Sequence, residues 1–191
     1  MRLTGGQLRG RKVKACGLGM SSRHGALRAT SSRVREAVFN ILGQTLEGMV
    51  FVDLYSGTGT MGMEAMSRGA RKVFFVESDP QRFRVIKETL EGCGCSAKAE
   101  MHNRKAVDFI GKLSGAGEVA DIFYLDPPYD SDELGVIIPE IAQSGVLSEK
   151  GVVLAEHNRN LLLPDRAGAL VKGKTYKYGD TMLSLYRESD E

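Results

Sequence analysis

Asp126-Pro127-Pro128-Tyr129 is the segment of this 191-residue chain with the most pointed chemistry. Two adjacent prolines remove two backbone N–H donors and fix φ at both positions. The residue before each proline is held in extended geometry, so the segment is stiff and offers acceptors, the Asp126 carboxylate and nearby backbone carbonyls, without competing donors. A pocket of that kind suits an exocyclic NH2 group. Tyr129 adds a π-face on which an extruded base can stack, a contact worth ~1–3 kcal/mol. Asp and Pro also commonly form plain surface turns. The apolar run Ile122–Leu125 directly before the segment argues instead for a loop at the carboxyl edge of a sheet, where open α/β folds bind ligands.

A second group lies upstream, in Phe51-Val52-Asp53-Leu54-Tyr55-Ser56-Gly57-Thr58-Gly59-Thr60-Met61-Gly62, which reads as a strand, a glycine turn and a helix. Gly57, Gly59 and Gly62 match G-x-G-x-x-G, and Glu77 lies twenty residues beyond Gly57, as in a dinucleotide fingerprint. Asp53, however, sits four residues before the first glycine, at the end of the strand. A carboxylate there repels a pyrophosphate and can receive the ammonium of an amino acid, directly or through water.

The elements that must position these groups follow from the hydrophobic pattern. After Ser31 or Ser32 as N-cap, Val34, Val38, Ile41 and Leu42 recur at helical spacing and predict an amphipathic helix ending near Gly43. Strands are predicted at Val50–Tyr55, Lys72–Glu77, Ala97–His102, Ile122–Leu125 and Val152–Glu156. Between them lie helices at Met61–Arg68, Pro80–Glu91, Lys105–Leu113 and Asp132–Ser144. Alternation in the last forty residues adds a closing pair of strands with a turn at Gly179-Asp180, seven strands in all. The expected fold is α/β, a mostly parallel sheet with helices on both faces.

The composition, 42% apolar and 26% charged, is ordinary for one globular domain, and no apolar stretch is long enough for a membrane span or a signal peptide. Three cysteines and three histidines without metal-ligand spacing predict neither a disulfide framework nor a zinc site, and a cytoplasmic location fits them. The net charge of +2 conceals an asymmetry: residues 1–35 carry nine Lys and Arg and no acid, so the remainder is −7. A positive arm on a negative body points to a polyanion partner met on one face. An Arg-rich organellar leader is the competing reading, opposed by the glycines between residues 5 and 25.

The D-x-x-x-G-x-G arrangement with an acid ending the second strand resembles the cofactor site of class I S-adenosylmethionine (AdoMet) methyltransferases. That resemblance implies a Rossmann-like sheet of seven strands with the last antiparallel, AdoMet as cofactor, and Glu77 as ligand of the ribose hydroxyls. Asp126-Pro127-Pro128-Tyr129 likewise resembles the [DNS]-P-P-[YFW] motif of enzymes that methylate planar amino groups. The segments Gly5–Val13 and Arg28–Leu42, with Tyr178-Gly179-Asp180-Thr181, are similar to the RsmD family of 16S ribosomal RNA guanine-N2 methyltransferases, over essentially the whole chain. By that resemblance residues 1–30 form a basic, RNA-binding extension, expected as a β-hairpin, and residues 31–191 the methyltransferase domain. Catalysis falls to Asp126, Pro127, Pro128 and Tyr129. The cofactor falls to Asp53, Tyr55, Ser56, Gly57, Thr58, Gly59, Glu77, Ser78, Asn103 and Asp126. RNA falls to Arg9, Arg11, Lys12, Arg28, Arg33 and Arg35.

The implied partner is 16S ribosomal RNA or a small-subunit assembly intermediate, met by a monomer away from any membrane. Two departures from the family pattern stand out: Ala29 and Ser32 replace a proline and an aspartate before the first helix, and Asn103-Arg104-Lys105 replaces the usual acid or amide near the adenine ring. Methylation of DNA adenine or protein glutamine is the neighbouring alternative, and a non-catalytic RNA-binding module is the alternative of another class.

Overall fold

The computed structural model describes residues 2–11, 31–128 and 131–189. Tyr129, Lys12 and Arg28, three of the expected functional residues, and most of the expected hairpin lie outside the described residues.

In chain order the elements are α1 (Ser32–Leu42), β1 (Val50–Asp53), α2 (Thr60–Ser67), β2 (Lys72–Val76), α3 (Pro80–Cys93), β3 (Ala99–His102), α4 (Ala106–Gly115), β4 (Ala120–Leu125), α5 (Glu133–Ser144), β5 (Leu147–Asn158), β6 (Arg166–Ala167), β7 (Leu170–Tyr178) and β8 (Thr181–Glu188). One sheet holds the strands in the order β3-β2-β1-β4-β5-β8-β7-β6. The pairs from β3 to β5 are parallel, and β8 enters antiparallel to β5. The strand order reverses between β1 and β4, so the crevice at their C-terminal ends is where this topology places a ligand.

Among the described residues eight strands stand where seven are expected. The extra one, β6, has two residues, too short for alternation to reveal. β5 also begins five residues early at Leu147, because the polar Ser148-Glu149-Lys150-Gly151 reads as a turn while a register shift opposite Ala120 and Ile122 absorbs it.

Helices cover both faces of the sheet. Phe74, Val76, Phe123, Leu125, Val153 and Ala155 point to the face packed by α4 and α5. Phe51, Val73, Phe75, Ile122, Tyr124 and Leu154 point to the face packed by α1, α2 and α3. Strands covered on both faces are near-continuous apolar runs, as Val50–Val52 of β1 and Ile122–Leu125 of β4 are. No helix among the described residues is long and apolar enough to cross a membrane.

Local signals set the helix ends. Ser31 caps α1, its hydroxyl accepting from Val34 N–H at 3.2 Å, and Gly43 at φ 110° ends it. Asp79 caps α3 through the N–H groups of Gln81 and Arg82, with Pro80 at the first position.

Residues 2–11 do not stand off as an arm. Leu3 N–H donates to Arg11 O and Gly10 N–H to Leu3 O, closing a compact loop. Leu3 is buried in the α1–α3 core, and the loop lies along α2 through Gln7 N–H to Ser67 O at 2.7 Å.

Candidate functional site

Four acids mark the C-terminal ends of four adjacent parallel strands: Glu77 after β2, Asp53 ending β1, Asp126 after β4 and Glu156 in β5. Side chains alternate along a strand, and each acid follows two positions behind a residue of the α1–α3 core: Phe75, Phe51, Tyr124 and Leu154. All four therefore emerge on one face, and all four line a single cleft of about 1160 Å³. Its floor is anionic. Arg82, Arg104 and Lys105 supply cations at the Glu77 end.

The glycine turn is tied down from both sides. Gly62 N–H donates to Asp53 Oδ2 at 2.9 Å, and Ser56 Oγ to Asp53 O at 2.7 Å. Gly57, at φ 53°, donates its N–H to Glu77 Oε2 at 2.9 Å, while Glu77 Oε1 accepts from Asp79 N–H. A Cβ on Gly57 would meet only Tyr55 O, at 3.8 Å, so this glycine faces open space in the cleft. Gly59 is different: at φ 71° it caps α2, and a Cβ there would press on Ile86 and Met63 at 3.0 Å. It is absent from the cleft lining, and in this structure it serves helix entry and packing.

Burial pushes the Asp53 carboxyl up to about 7, against the Gly62 N–H, which favours the charged form, and with the Glu77 charge raising it further. Glu77 is also raised, mainly by burial, against the N–H groups of Asp79 and Gly57. A cationic ligand would relieve both. That polarity fits the positive sulfonium and ammonium of AdoMet and does not fit a pyrophosphate.

Tyr55, Ser56, Thr58 and Ser78 line the same cleft, as expected. Burial and a hydrogen bond to Glu133 raise the Tyr55 phenol. Asn103 does not line it. Its amide donates to Glu77 O at 2.8 Å and Ser78 O at 3.2 Å, so it shapes the loop carrying the acid, and Arg104 and Lys105 face the cleft instead.

On the other side of the switch point, Asp126, Pro127 and Pro128 continue β4 into the cleft. Pro128 O accepts from Ser131 N–H at 3.0 Å and Ser131 Oγ at 2.7 Å, which pins the far end of the loop. The cleft lining also includes Tyr124, Glu156, Thr181, Ser31 and Val34, none of which stands out in the sequence as a site residue. Glu156 becomes visible only through the pairing of β4 with β5. His157 beside it turns away, bonded to Ser184 Oγ and Asn158 O.

Among the expected RNA ligands, Arg9, Arg11 and Arg33 are exposed. Arg35 is not: it is 1% exposed, its guanidinium lies 3.3 Å from Glu64, and it donates to Arg2 O. Its place on the first turn of α1 faces α2, whose buried Glu64 needs a cation, so a phosphate contact by Arg35 is corrected to a structural ion pair.

The family described as "Conserved hypothetical protein 95" matches residues 1–187. YlbH of Bacillus subtilis is 30% identical over 98% of this chain and 99% of its own length. "Ribosomal RNA small subunit methyltransferase D" of Haemophilus influenzae is 30% identical, covering 92% of this chain and 88% of that one. The solved structure of a hypothetical protein from Thermus thermophilus superposes with a TM-score of 0.80 at 27% identity, covering 99% of each chain. A match of this extent, on a chain with this sheet order and this cleft, places the protein in that family, the one to which RsmD-type ribosomal RNA methyltransferases belong.

Proposed function

We propose that the chain transfers a methyl group from AdoMet to the exocyclic N2 of a guanine in small-subunit (16S) ribosomal RNA. The observation that carries this reading is the position of Asp126-Pro127 on the same cleft as the Asp53–Glu77 cofactor cradle, across one strand boundary. Membership of a family with relatives named for small-subunit ribosomal RNA methylation supports the substrate class.

Glu77 and the Gly57 turn would hold the ribose and the methionine portion, and Asp53 the ammonium. Bound there, AdoMet supplies an electrophilic methyl on sulfur. The chain's own residues do the rest. The guanine amino nitrogen is a weak nucleophile because its lone pair is delocalised into the ring. With its two N–H groups donating to the Asp126 carboxylate and the Pro127 carbonyl, that nitrogen is drawn toward tetrahedral geometry and its lone pair becomes available. As the N–C bond forms and the S–C bond breaks, positive charge moves onto nitrogen, where the Asp126 carboxylate stabilises it. The surplus proton then leaves to Asp126 or to water. Tyr129 is the stacking surface for the base.

Labelled methyl transfer to isolated small subunits, to protein and to duplex DNA tests the reading. Label on a guanine of the subunit RNA is expected, and label only on protein or DNA overturns it. Asp126→Ala should lower turnover by at least ~10²-fold while AdoMet affinity stays within a few-fold of the parent. Unchanged turnover would remove Asp126 from the mechanism.

A further inference from the structure

The proposed reaction uses three of the four acids at the strand ends of the cleft and gives Glu156 no role. Glu156 is 4% exposed and lines the cleft beside Asp126. Leu125 of β4 pairs with Ala155 of β5, so Asp126 and Glu156 are the next positions on neighbouring parallel strands, about 4.8 Å apart along the sheet. The Tyr124 hydroxyl donates to Glu156 Oε2. Burial, with Glu156 and Asp126 close by, holds the phenol well above its ordinary value, so it stays neutral and keeps donating. A carboxylate offers about four acceptor directions, and the bond from a rigid phenol fixes its orientation without exhausting them. Ser31, Val34 and Thr181 line the same cleft, whose volume of about 1160 Å³ exceeds what a nucleoside cofactor alone would fill.

The base that belongs there follows from hydrogen-bond polarity. Adenine and cytosine place a ring nitrogen lone pair next to their amino group. Guanine places a ring N–H there, so its N1–H and N2–H groups lie side by side as adjacent donors. A second carboxylate next to Asp126 accepts the guanine pair and repels the lone pair of the other two. We propose that Glu156, held by Tyr124, accepts the N1–H of the target guanine and is the residue that restricts the amino-group site to guanine. This rests on the reading that the base amine docks on Asp126, and it adds a residue to which that reading gave no role. A site built to receive a donor discriminates strongly against a base lacking it, because a buried acceptor is then left facing an acceptor.

The test uses small subunits carrying either guanine or 2-aminopurine at the methylated position; 2-aminopurine keeps the amino group but has a lone pair at N1. The parent enzyme should favour guanine by ~10²-fold or more in kcat/KM. Glu156→Gln, isosteric and able to donate from its amide, should shrink that preference at least tenfold. Taking the ratio within one preparation cancels any loss of folded protein, and the same ratio measured as subunit affinity in the presence of S-adenosylhomocysteine remains readable if the variant turns over slowly. Tyr124→Phe, which removes the anchoring phenol, should raise KM for guanine subunits more than it lowers kcat. An unchanged guanine preference in Glu156→Gln overturns the role of Glu156 alone. Failure of the parent enzyme to methylate guanine at all overturns the functional reading beneath it.

Discussion

Asp53 carries the most distinctive single-residue behaviour. Its carboxyl is raised from 3.8 to about 7 by burial, so between those values the folded protein binds a proton that the unfolded chain has released. The contribution of Asp53 to stability is therefore greatest below about pH 4, declines as pH rises toward 7 and is level above it; in full it is on the order of 4 kcal/mol. Asp53→Asn, which keeps an acceptor for Gly62 N–H, should flatten the decline, as read from denaturant midpoints of the ligand-free protein at pH 4.5 and pH 7.5. Binding an ammonium group requires the ionised form. AdoMet affinity should thus rise by up to about tenfold per pH unit from 5.5 to 7 in the parent and stay nearly flat in Asp53→Asn, measured by titration calorimetry. Parallel curves would separate Asp53 from the ligand's ammonium. Asp53, Glu77 and Asp126 were legible in the sequence because each declares itself by local spacing to a glycine turn, a strand end or a proline pair. Glu156 did not, since its partner is a neighbouring strand, and side-by-side placement of two acids depends on a register that no local pattern specifies. Asn103 was legible as a polar residue after β3, but not the direction of its amide.

At the scale of elements, the packing of α1, α2 and the first residues of the chain converges on Glu64. This fully buried carboxylate accepts from Thr4 N–H at 2.9 Å, Thr4 Oγ1 at 2.8 Å and Gly5 N–H at 2.7 Å, and pairs with Arg35 and with Arg68 at 3.0 Å. Removing its charge leaves two buried guanidinium groups facing each other, so Glu64→Gln should cost about 3–5 kcal/mol in urea unfolding. Residues 4–5 should also become accessible to protease, because their N–H anchors weaken. A loss below about 1 kcal/mol would mean that the loop holds itself in place. Behind α2, a Cβ on Gly62 would lie 2.3 Å from the Phe75 ring, itself fully buried. Gly62→Ala should accordingly cost roughly 1–3 kcal/mol and disturb the Asp53 hydrogen bond, visible as a lower melting temperature together with weaker AdoMet binding. Helix and strand positions came out of hydrophobic period to within a few residues, since buried strands and amphipathic helices both advertise their faces. The Glu64 cluster did not: Arg35 lies off the apolar stripe and is expected at RNA until α2 supplies its counter-ion.

For the whole molecule the charge distribution would set how the proposed RNA substrate is approached. Nine cations fall within the first 35 residues and the remainder is −7, so the field is strongly polar. The described part of the basic segment packs on α2, and Ser31 at the start of α1 lines the cleft. Arg33, two residues beyond Ser31, adjoins the cleft, whereas Arg9 and Arg11 lie with the loop at the C-terminal ends of α2 and α3, where Gln7 N–H meets Ser67 O and Arg11 donates to Cys93 O, and would meet phosphates away from the target base. Arg35 is already consumed by Glu64, and among the described residues Arg2, Arg9, Arg11 and Arg33 are the exposed members of the group. Each phosphate contact releases condensed counter-ions and contributes about 0.7–0.9 to the slope of log affinity against log salt. Replacing Arg9, Arg11 and Arg33 together by Gln should flatten that slope by about 2 and weaken binding at low salt far more than at high salt. Lys150→Gln, an exposed change near the N-terminal end of β5 and outside the basic segment, should leave the slope unaltered. Filter binding of isolated small-subunit RNA across a salt series reads both. Equal slopes for the triple variant and the parent would take these three residues out of the interface, while equal flattening by Lys150→Gln would show a general response to net charge instead of a directed face.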